Sequence, residues 1–338
     1  MGKPAVAAPP AADSPSTIGQ PGGISWQARL VNRFTRHAIK APVARTGFPA
    51  SVARAMARLL ELTTSSSFGS LATVHRKTIA GVPCEVVYPV NPPLEERVVL
   101  YLHGGGFCLH LPSSYRRFAR RLADACGATI CLPAYRLAPE HRYPAAPDDC
   151  MAVYRALLVD GCDPRRLCVM GDSAGGNLAL VTLLRARDEK IPLPACAIVM
   201  SPGADLTFSG DSYHRNASAD PLVPMNALLQ VARQYVDTQS TAHPHASPML
   251  GDFTGLPPIK IVVGSTEVLL DDSVTIAASH RAAGGEVVLQ VWHQMPHVFP
   301  IYAFLPEGRM AMRQMVDFFD KHTARPGAPP AAPAIADP

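Results

Sequence analysis

Gly171-Asp172-Ser173-Ala174-Gly175-Gly176-Asn177 is the stretch on which the reading of this chain turns. It joins a short apolar, strand-like run, Leu167-Cys168-Val169-Met170, to a helix-like run from Leu178 to Ala186. A serine is a weak nucleophile at its ordinary pKa, so an enzyme must expose it and supply a base. A strand that turns sharply into a helix does the exposing. The turn is strained, and small residues around the serine let the chain segments pack closely there. Gly171 and Gly175 give the G-x-S-x-G spacing of such an elbow, and Ala174 and Gly176 keep its neighbourhood small. The competing explanation is an ordinary glycine–serine turn. The strand and helix flanks favour the elbow, and the presence or absence of partner residues decides between the two.

Outward from the elbow the pattern alternates. Strand-like runs fall at Cys84–Val90, Arg97–Leu102, Thr129–Leu132, Leu167–Met170, Ala197–Met200, Ile259–Val263 and Val287–Trp292. Helix-like runs fall at Ser114–Ala125, Asp148–Leu158, Leu178–Arg187, Asp271–Ala283 and Arg309–Lys321. Short apolar runs alternating with amphipathic helices predict an α/β fold: a mostly parallel central sheet with helices on both faces. Sites in such sheets form at the carboxyl ends of the strands. Two segments break the alternation. Residues 24–66 carry helical stretches at Trp26–Ile39 and Ser51–Leu62, and residues 203–256 carry one near Asn226–Val236. Insertions of this length beside the active edge read either as a cap over the site or as packing. The main domain is expected over 67–324. The tails, 1–23 and 325–338, are almost wholly Ala, Pro, Gly and Ser, hold ten of the 34 prolines and are expected to be disordered.

Bulk properties exclude several classes. With 338 residues the chain can bury a large core. Charged residues make up 17%, below the usual ~25%. A net charge of +4 with no basic cluster interleaved with aromatics argues against nucleic acid as a partner. None of the eight cysteines forms a C-x-x-C pair and most lie in apolar runs, so they read as reduced core residues rather than disulfides or zinc ligands. No basic start precedes an apolar stretch as in a signal peptide, and no run approaches the ~20 apolar residues of a membrane span. A cytoplasmic location is the expectation.

The elbow needs a base, an acid that orients the base, and donors for an oxyanion. The donors are expected from His103-Gly104-Gly105-Gly106, directly after the strand ending at Leu102. Successive glycines let backbone N–H groups face a cavity, and losing one such donor costs ~10²–10³ in rate. The N–H groups of Gly105, Gly106 and Ala174 are the candidates. His103 and Gly104 are expected to support the loop, and Asp172 to support the elbow. His297 lies in the loop after Val287–Trp292 and is the expected base. His293, at the strand end itself, is its competitor. Glu267 follows the strand Ile259–Val263 and is the expected acid, because it has no role as a helix cap. Asp271 is the alternative, although Asp271, Asp272 and Ser273 read naturally as the start of a helix. Asp205, opening the insertion, is read as a supporting carboxylate. The order Ser, acid, His matches the elbow type of hydrolase.

These motifs resemble the hormone-sensitive lipase family of α/β-hydrolases, in its bacterial family IV branch. The resemblance spans roughly residues 70–322. It is carried by His103-Gly104-Gly105-Gly106, Tyr135-Arg136-Leu137-Ala138-Pro139-Glu140-His141, the elbow, and Met295-Pro296-His297-Val298-Phe299. It implies an α/β-hydrolase fold with an N-terminal cap, and a serine esterase for short to medium acyl chains with no metal and no organic cofactor. It also implies a homodimer. Two positions depart from the family pattern. Glu267-Val268-Leu269 stands where Asp-Pro-Leu is usual, and Val298 where a glycine usually follows the histidine. The Tyr135–His141 stretch has no nucleophile and reads as a structural connection shaping the pocket. Lactonase, amidase and deacetylase chemistry would use the same machinery. A non-catalytic receptor on this fold is the alternative from another class, against which the retained Ser173 and His297 argue.

Overall fold

The computed structural model describes residues 16–18, 23–47, 50, 51, 54, 72–91 and 96–323. In chain order its strands are β1 (Ser16–Ile18), β2 (Thr73–Ile79), β3 (Val82–Tyr88), β4 (Val98–Leu102), β5 (Thr129–Pro133), β6 (Leu167–Asp172), β7 (Cys196–Met200), β8 (Ile259–Gly264) and β9 (Val287–Trp292). They form one sheet in the order β1-β9-β8-β7-β6-β4-β5-β3-β2. β2 and β3 pair antiparallel, as do β3 and β5, and every other pairing is parallel. Each residue of β4, β5, β6, β7 and β8 is buried, which is why, Lys260 of β8 and the terminal Thr129 and Asp172 apart, these strands read as apolar runs rather than alternating ones.

The helices are α1 (Trp26–Phe34), α2 (Ala41–Thr46), α3 (Pro112–Cys126), α4 (Ala145–Val159), α5 (Ala174–Asp188), α6 (Ser212–Arg215), α7 (Met225–Tyr235), α8 (Leu270–Ala282) and α9 (Pro306–His322). A six-residue wider helical turn, Thr35–Lys40, joins α1 to α2. Side chains alternate across the sheet. Leu100 and Leu102 of β4 pack in one core with Met151 and Tyr154 of α4 and Leu178 and Leu183 of α5. Val99 and Tyr101 face the other core, with Phe118 and Leu122 of α3 and Met315 and Phe319 of α9. The helices thus cover both faces and leave the carboxyl ends of the parallel strands for the site.

Two strands of the sheet differ from the sequence reading. β2 lay unread because Thr73-Val74-His75-Arg76-Lys77 is polar and mostly exposed, as an edge strand permits. Ala80 and Gly81 join it to β3 with φ of 50° and 81°, the conformation of a tight two-residue hairpin. Within the tail expected to be disordered, Ser16–Ile18 pairs as a parallel strand on the free edge of β9. The rest of that tail, the C-terminal tail 325–338, and most of the expected helix Ser51–Leu62 lie outside the described residues. The expected helix at Trp26–Ile39 corresponds to α1 and the turn after it. Its polar side chains tie it down: Arg36 donates to the carbonyls of Ser218 (2.5 Å) and Ala219 (2.9 Å), and Lys40 to those of Ala217 and Asp220 (both 2.6 Å). The first helices therefore dock onto the insertion 203–256, which carries α6 and α7.

Candidate active site

Ser173 stands between β6 and α5 with φ 53° and ψ −120°, a conformation that L-residues other than glycine rarely adopt. Such a residue costs about 1–3 kcal/mol and persists only where its surroundings hold it. Here the Ser173 N–H donates to Met200 O (2.9 Å), and its carbonyl accepts from Asn177 N (3.1 Å) and Gly203 N (3.2 Å). The flanking glycines are required by close approach. A Cβ on Gly171 would run into the Gly175 carbonyl, and one on Gly175 into the carbonyls of Leu102 and His103.

The His103–Gly106 loop leaves β4, the neighbour of β6 in the sheet. Gly105 and Gly106 take φ of 113° and 60°. Among the described residues none accepts a hydrogen bond from the N–H of Gly105, Gly106 or Ala174. Gly104 is different: its N–H donates to Asp172 Oδ1 (3.0 Å) and to Tyr115 Oη (2.9 Å). Asp172 also accepts from the hydroxyls of Tyr101 (2.7 Å) and Tyr115 (2.8 Å). The residue before the serine therefore anchors the loop that carries the candidate oxyanion donors. Burial raises the Asp172 pKa, although its three donors and the charge of His297 pull the other way. His103 is buried, stacked on Tyr135 with ring centroids 4.3 Å apart, and its Nδ1 lies 2.7 Å from the Gly104 carbonyl. Burial drives its pKa down to about 3, with His110 adding to the effect, so it stays neutral. The Tyr135–His141 stretch touches the same loop: Tyr135 Oη donates to His103 O (2.7 Å) and Ala138 N to Phe107 O (2.9 Å).

His297 Nε2 lies 2.9 Å from Ser173 Oγ, and His297 Nδ1 lies 2.6 Å from Glu267 Oε2. Glu267 is fully buried. Its second oxygen accepts from Ser201 Oγ (2.8 Å) and Gly264 N (2.6 Å). Burial alone would lower the His297 pKa, but the hydrogen bond and charge of Glu267, with the charges of Asp220 and Asp172, leave it above the ordinary histidine value. The structure brings Ser173, His297 and Glu267 together and keeps the competitors away. Asp271 accepts from Ser212 N and Arg215 (both 2.8 Å), so it ties α6 to α8. His293 is exposed, and it is His297 whose ring nitrogens face Ser173 and Glu267. Asp205 is buried and accepts from the N–H and hydroxyl groups of Thr207 and Ser209 at 2.5–2.8 Å.

Three supporting residues escaped the sequence reading. Ser201 joins the loop of Glu267 to the loop of His297, because its Oγ also accepts from Val298 N (3.2 Å). Asn216 donates to Glu267 O (2.8 Å), and Asp220 accepts from Val268 N (3.0 Å). Only Ser201 had a visible signal, being the first polar residue after an apolar strand. Among the described residues no cluster of three or more His, Cys, Asp or Glu side chains is placed to hold a metal ion. No helix among them is long and apolar enough to cross a membrane.

This sheet order and strand-to-helix elbow define an α/β-hydrolase. Residues 99–301 match the family described as the alpha/beta hydrolase fold. The chain is 40% identical over 248 residues to an acetyl-hydrolase of Streptomyces hygroscopicus, covering 73% of this chain and 83% of that one. The crystal structure of EstE5 soaked with p-nitrophenyl butyrate superposes with a TM-score of 0.81 at 36% identity, covering 88% of this chain and 99% of that one. An esterase from the bacterial hormone-sensitive lipase family superposes with a TM-score of 0.81 at 33% identity, covering 89% and 99%. The chain belongs to the α/β-hydrolase family, in its hormone-sensitive lipase branch.

Proposed function

We propose that this protein is a serine carboxylesterase acting on esters of short to medium acyl chains. Ser173 Oγ attacks the ester carbonyl carbon while His297 Nε2 takes its proton. Glu267 holds the imidazole with Nδ1 protonated and balances the charge it gains. The tetrahedral oxyanion is held by the N–H groups of Gly105, Gly106 and Ala174. The alcohol leaves with the proton from His297, and water activated by the same histidine then hydrolyses the acyl-enzyme. The observation that carries this reading is the continuous line from Ser173 Oγ through His297 to Glu267, at 2.9 and 2.6 Å. The acetyl-hydrolase and esterase names of the relatives support ester substrates, and the butyrate soak of EstE5 supports a short acyl group. The cap role of residues 24–66 and 203–256 belongs to the same proposal: Asn32 of the first segment donates to Gln294 O, near His297, and Asn216 of the second to Glu267 O.

The test is hydrolysis of p-nitrophenyl acetate and butyrate by wild type and Ser173→Ala, with labelling by a serine-directed fluorophosphonate. Activity and labelling should both vanish in the variant. A Ser173→Ala protein that hydrolyses either ester at the wild-type rate would sink the proposal.

A further inference from the structure

The first helix presents a face that the catalytic chemistry leaves unused. Trp26, Leu30 and Phe34 recur every four residues and so lie one above another on one side of α1. They are 69%, 60% and 60% exposed. Beside them, at the same spacing, run Arg29, Arg33 and His37, all exposed. The opposite side is taken up by the protein. Ala28 and Thr35 are buried, Ser25 donates through N and Oγ to Glu307 (2.7 and 2.9 Å), and Asn32 donates to Gln294 O (2.9 Å). Phe304, on the turn leading to Glu307, is 56% exposed. The helix is thus held from below, and its outer face is an apolar stripe next to a cationic one. The arginines stand singly in the sequence, and only helical geometry gathers them into a row beside the aromatics.

The segment that carries this face is one-sided in charge. Residues 14–60 hold seven of the chain's 31 Lys and Arg and none of its 27 Asp and Glu, so the rest of the chain is net acidic. A helix with Trp, Leu and Phe on one side and arginines along its border suits the boundary between lipid headgroups and acyl chains. We infer that α1 docks this protein on an anionic lipid surface, lying on the surface rather than crossing it. Arg29 and Arg33 pair with the lipid phosphates, while Trp26, Leu30 and Phe34 enter the apolar layer. A second copy of this chain fits the face poorly, because two α1 helices, neither with an acidic residue, would set arginine against arginine. Nucleic acid would use the arginines and leave Leu30 unserved. The hydrogen bond from Asn32 to Gln294, three residues before His297, ties the inner side of α1 to the loop that carries the candidate base. The inference does not depend on the role proposed for Ser173.

The chain's own fluorescence supplies the assay. It has two tryptophans, and Trp292 is 1% exposed, so Trp26 dominates the response to a surface. The full chain is titrated with vesicles of phosphatidylcholine alone and of phosphatidylcholine mixed with phosphatidylglycerol, and co-sedimentation is measured in parallel. The expected result is a blue shift and sedimentation with the mixed vesicles only. High salt should reverse both, as the Debye length shrinks from about 10 Å at 0.1 M to about 3 Å at 1 M. Arg29→Gln with Arg33→Gln should weaken binding on the order of 30-fold. Leu30→Ser with Phe34→Ser should remove the shift while leaving the melting curve in place. Ser173→Ala should bind as wild type does, which separates this inference from the esterase reading. It is overturned if mixed vesicles cause no shift, or if neutral vesicles bind equally well. A shift produced by concentrating the protein alone, with doubled mass, or tighter binding to single-stranded DNA than to vesicles, would overturn it too.

Discussion

Replacing Glu267 by Gln should reverse the hydrogen-bond polarity around His297 while keeping the shape of the site. Oε1 accepts from the Gly264 N–H at 2.6 Å and from the Ser201 hydroxyl at 2.8 Å. The peptide N–H can only donate, so the amide oxygen of Gln must take that side. The NH₂ group then faces His297 Nδ1 in place of an oxygen at 2.6 Å. Nδ1 becomes the acceptor, the proton moves to Nε2, and Nε2 can no longer take the Ser173 proton. A carboxylate-to-amide change of this kind in another serine hydrolase costs about 10⁴ in kcat through the wrong tautomer. We expect a loss of about 10³–10⁴ in kcat/KM, or about 4–5.5 kcal/mol of transition-state stabilisation. Glu267→Asp keeps the tautomer but withdraws the carboxylate by one methylene. A misplacement of this order costs about 10². Asp271→Asn is the control: it disturbs contacts to Ser212 and Arg215 and should stay within a few-fold of wild type. The assay is hydrolysis of p-nitrophenyl butyrate, with circular dichroism to verify folding. Near-wild-type activity in Glu267→Gln beside a dead Asp271→Asn would refute the reasoning and move the acid to Asp271.

Four further outcomes can be measured. His297 works as a base only when neutral, and its pKa lies above the ordinary 6.5. The acid limb of the kcat/KM profile should therefore fall above pH 6.5, and Glu267→Gln should move any residual limb downward. Ser201→Ala leaves Glu267 Oε1 with one donor fewer and Val298 N–H without its acceptor; unfolding should be easier by about 1–3 kcal/mol, with kcat reduced more than KM is raised. Gly175→Ala drives a methyl group into the carbonyls of Leu102 and His103, and chemical denaturation should show a loss of about 3 kcal/mol or more. Burial pushes the Asp272 carboxyl up to about 8 from 3.8, against the pull of Tyr213 and of the N–H groups of Ala204 and Asp205. Its folded pKa is raised, so the ionised form is disfavoured in the fold. Wild type should lose stability relative to Asp272→Asn as pH rises from 3.8 through about 8, read as a growing Tm difference.

What was legible in the sequence follows from how each part is held. The central strands could be read because both of their faces are buried, so polar residues hardly interrupt the runs, Lys260 of β8 being the exception. β2 could not, because an exposed edge strand carries the polar residues of a loop. Ser173 and the glycines around it were legible because strain and close approach are local demands that restrict residue type within a few positions. Ser201 reaches Glu267 across 66 residues, and Asp220 reaches Val268 across 48. No spacing rule records such contacts, since the sheet order alone brings the loops after β7 and β8 side by side.

Elimination along the sequence and the geometry of the fold point to the same candidate acid by different routes. In the sequence Glu267 stood out by lacking a structural role, whereas Asp271 and Asp272 had one at the start of a helix. In the fold Glu267 does have a structural role. Its side chain turns back onto the N–H of Gly264, three residues earlier, and closes its own loop. The longer side chain lets one oxygen reach that N–H and the Ser201 hydroxyl while the other reaches His297. The neighbouring departure has the same character. Val298 sits at φ 56°, where a β-branched residue is strained, and its N–H is held by Ser201 Oγ at 3.2 Å. One serine thus braces both unusual positions, the Glu on the acid loop and the Val on the base loop. The two are predicted to be coupled: reverting either toward the pattern usual in the family should change how much Ser201→Ala costs, whereas strict additivity in a double-mutant cycle would refute the coupling.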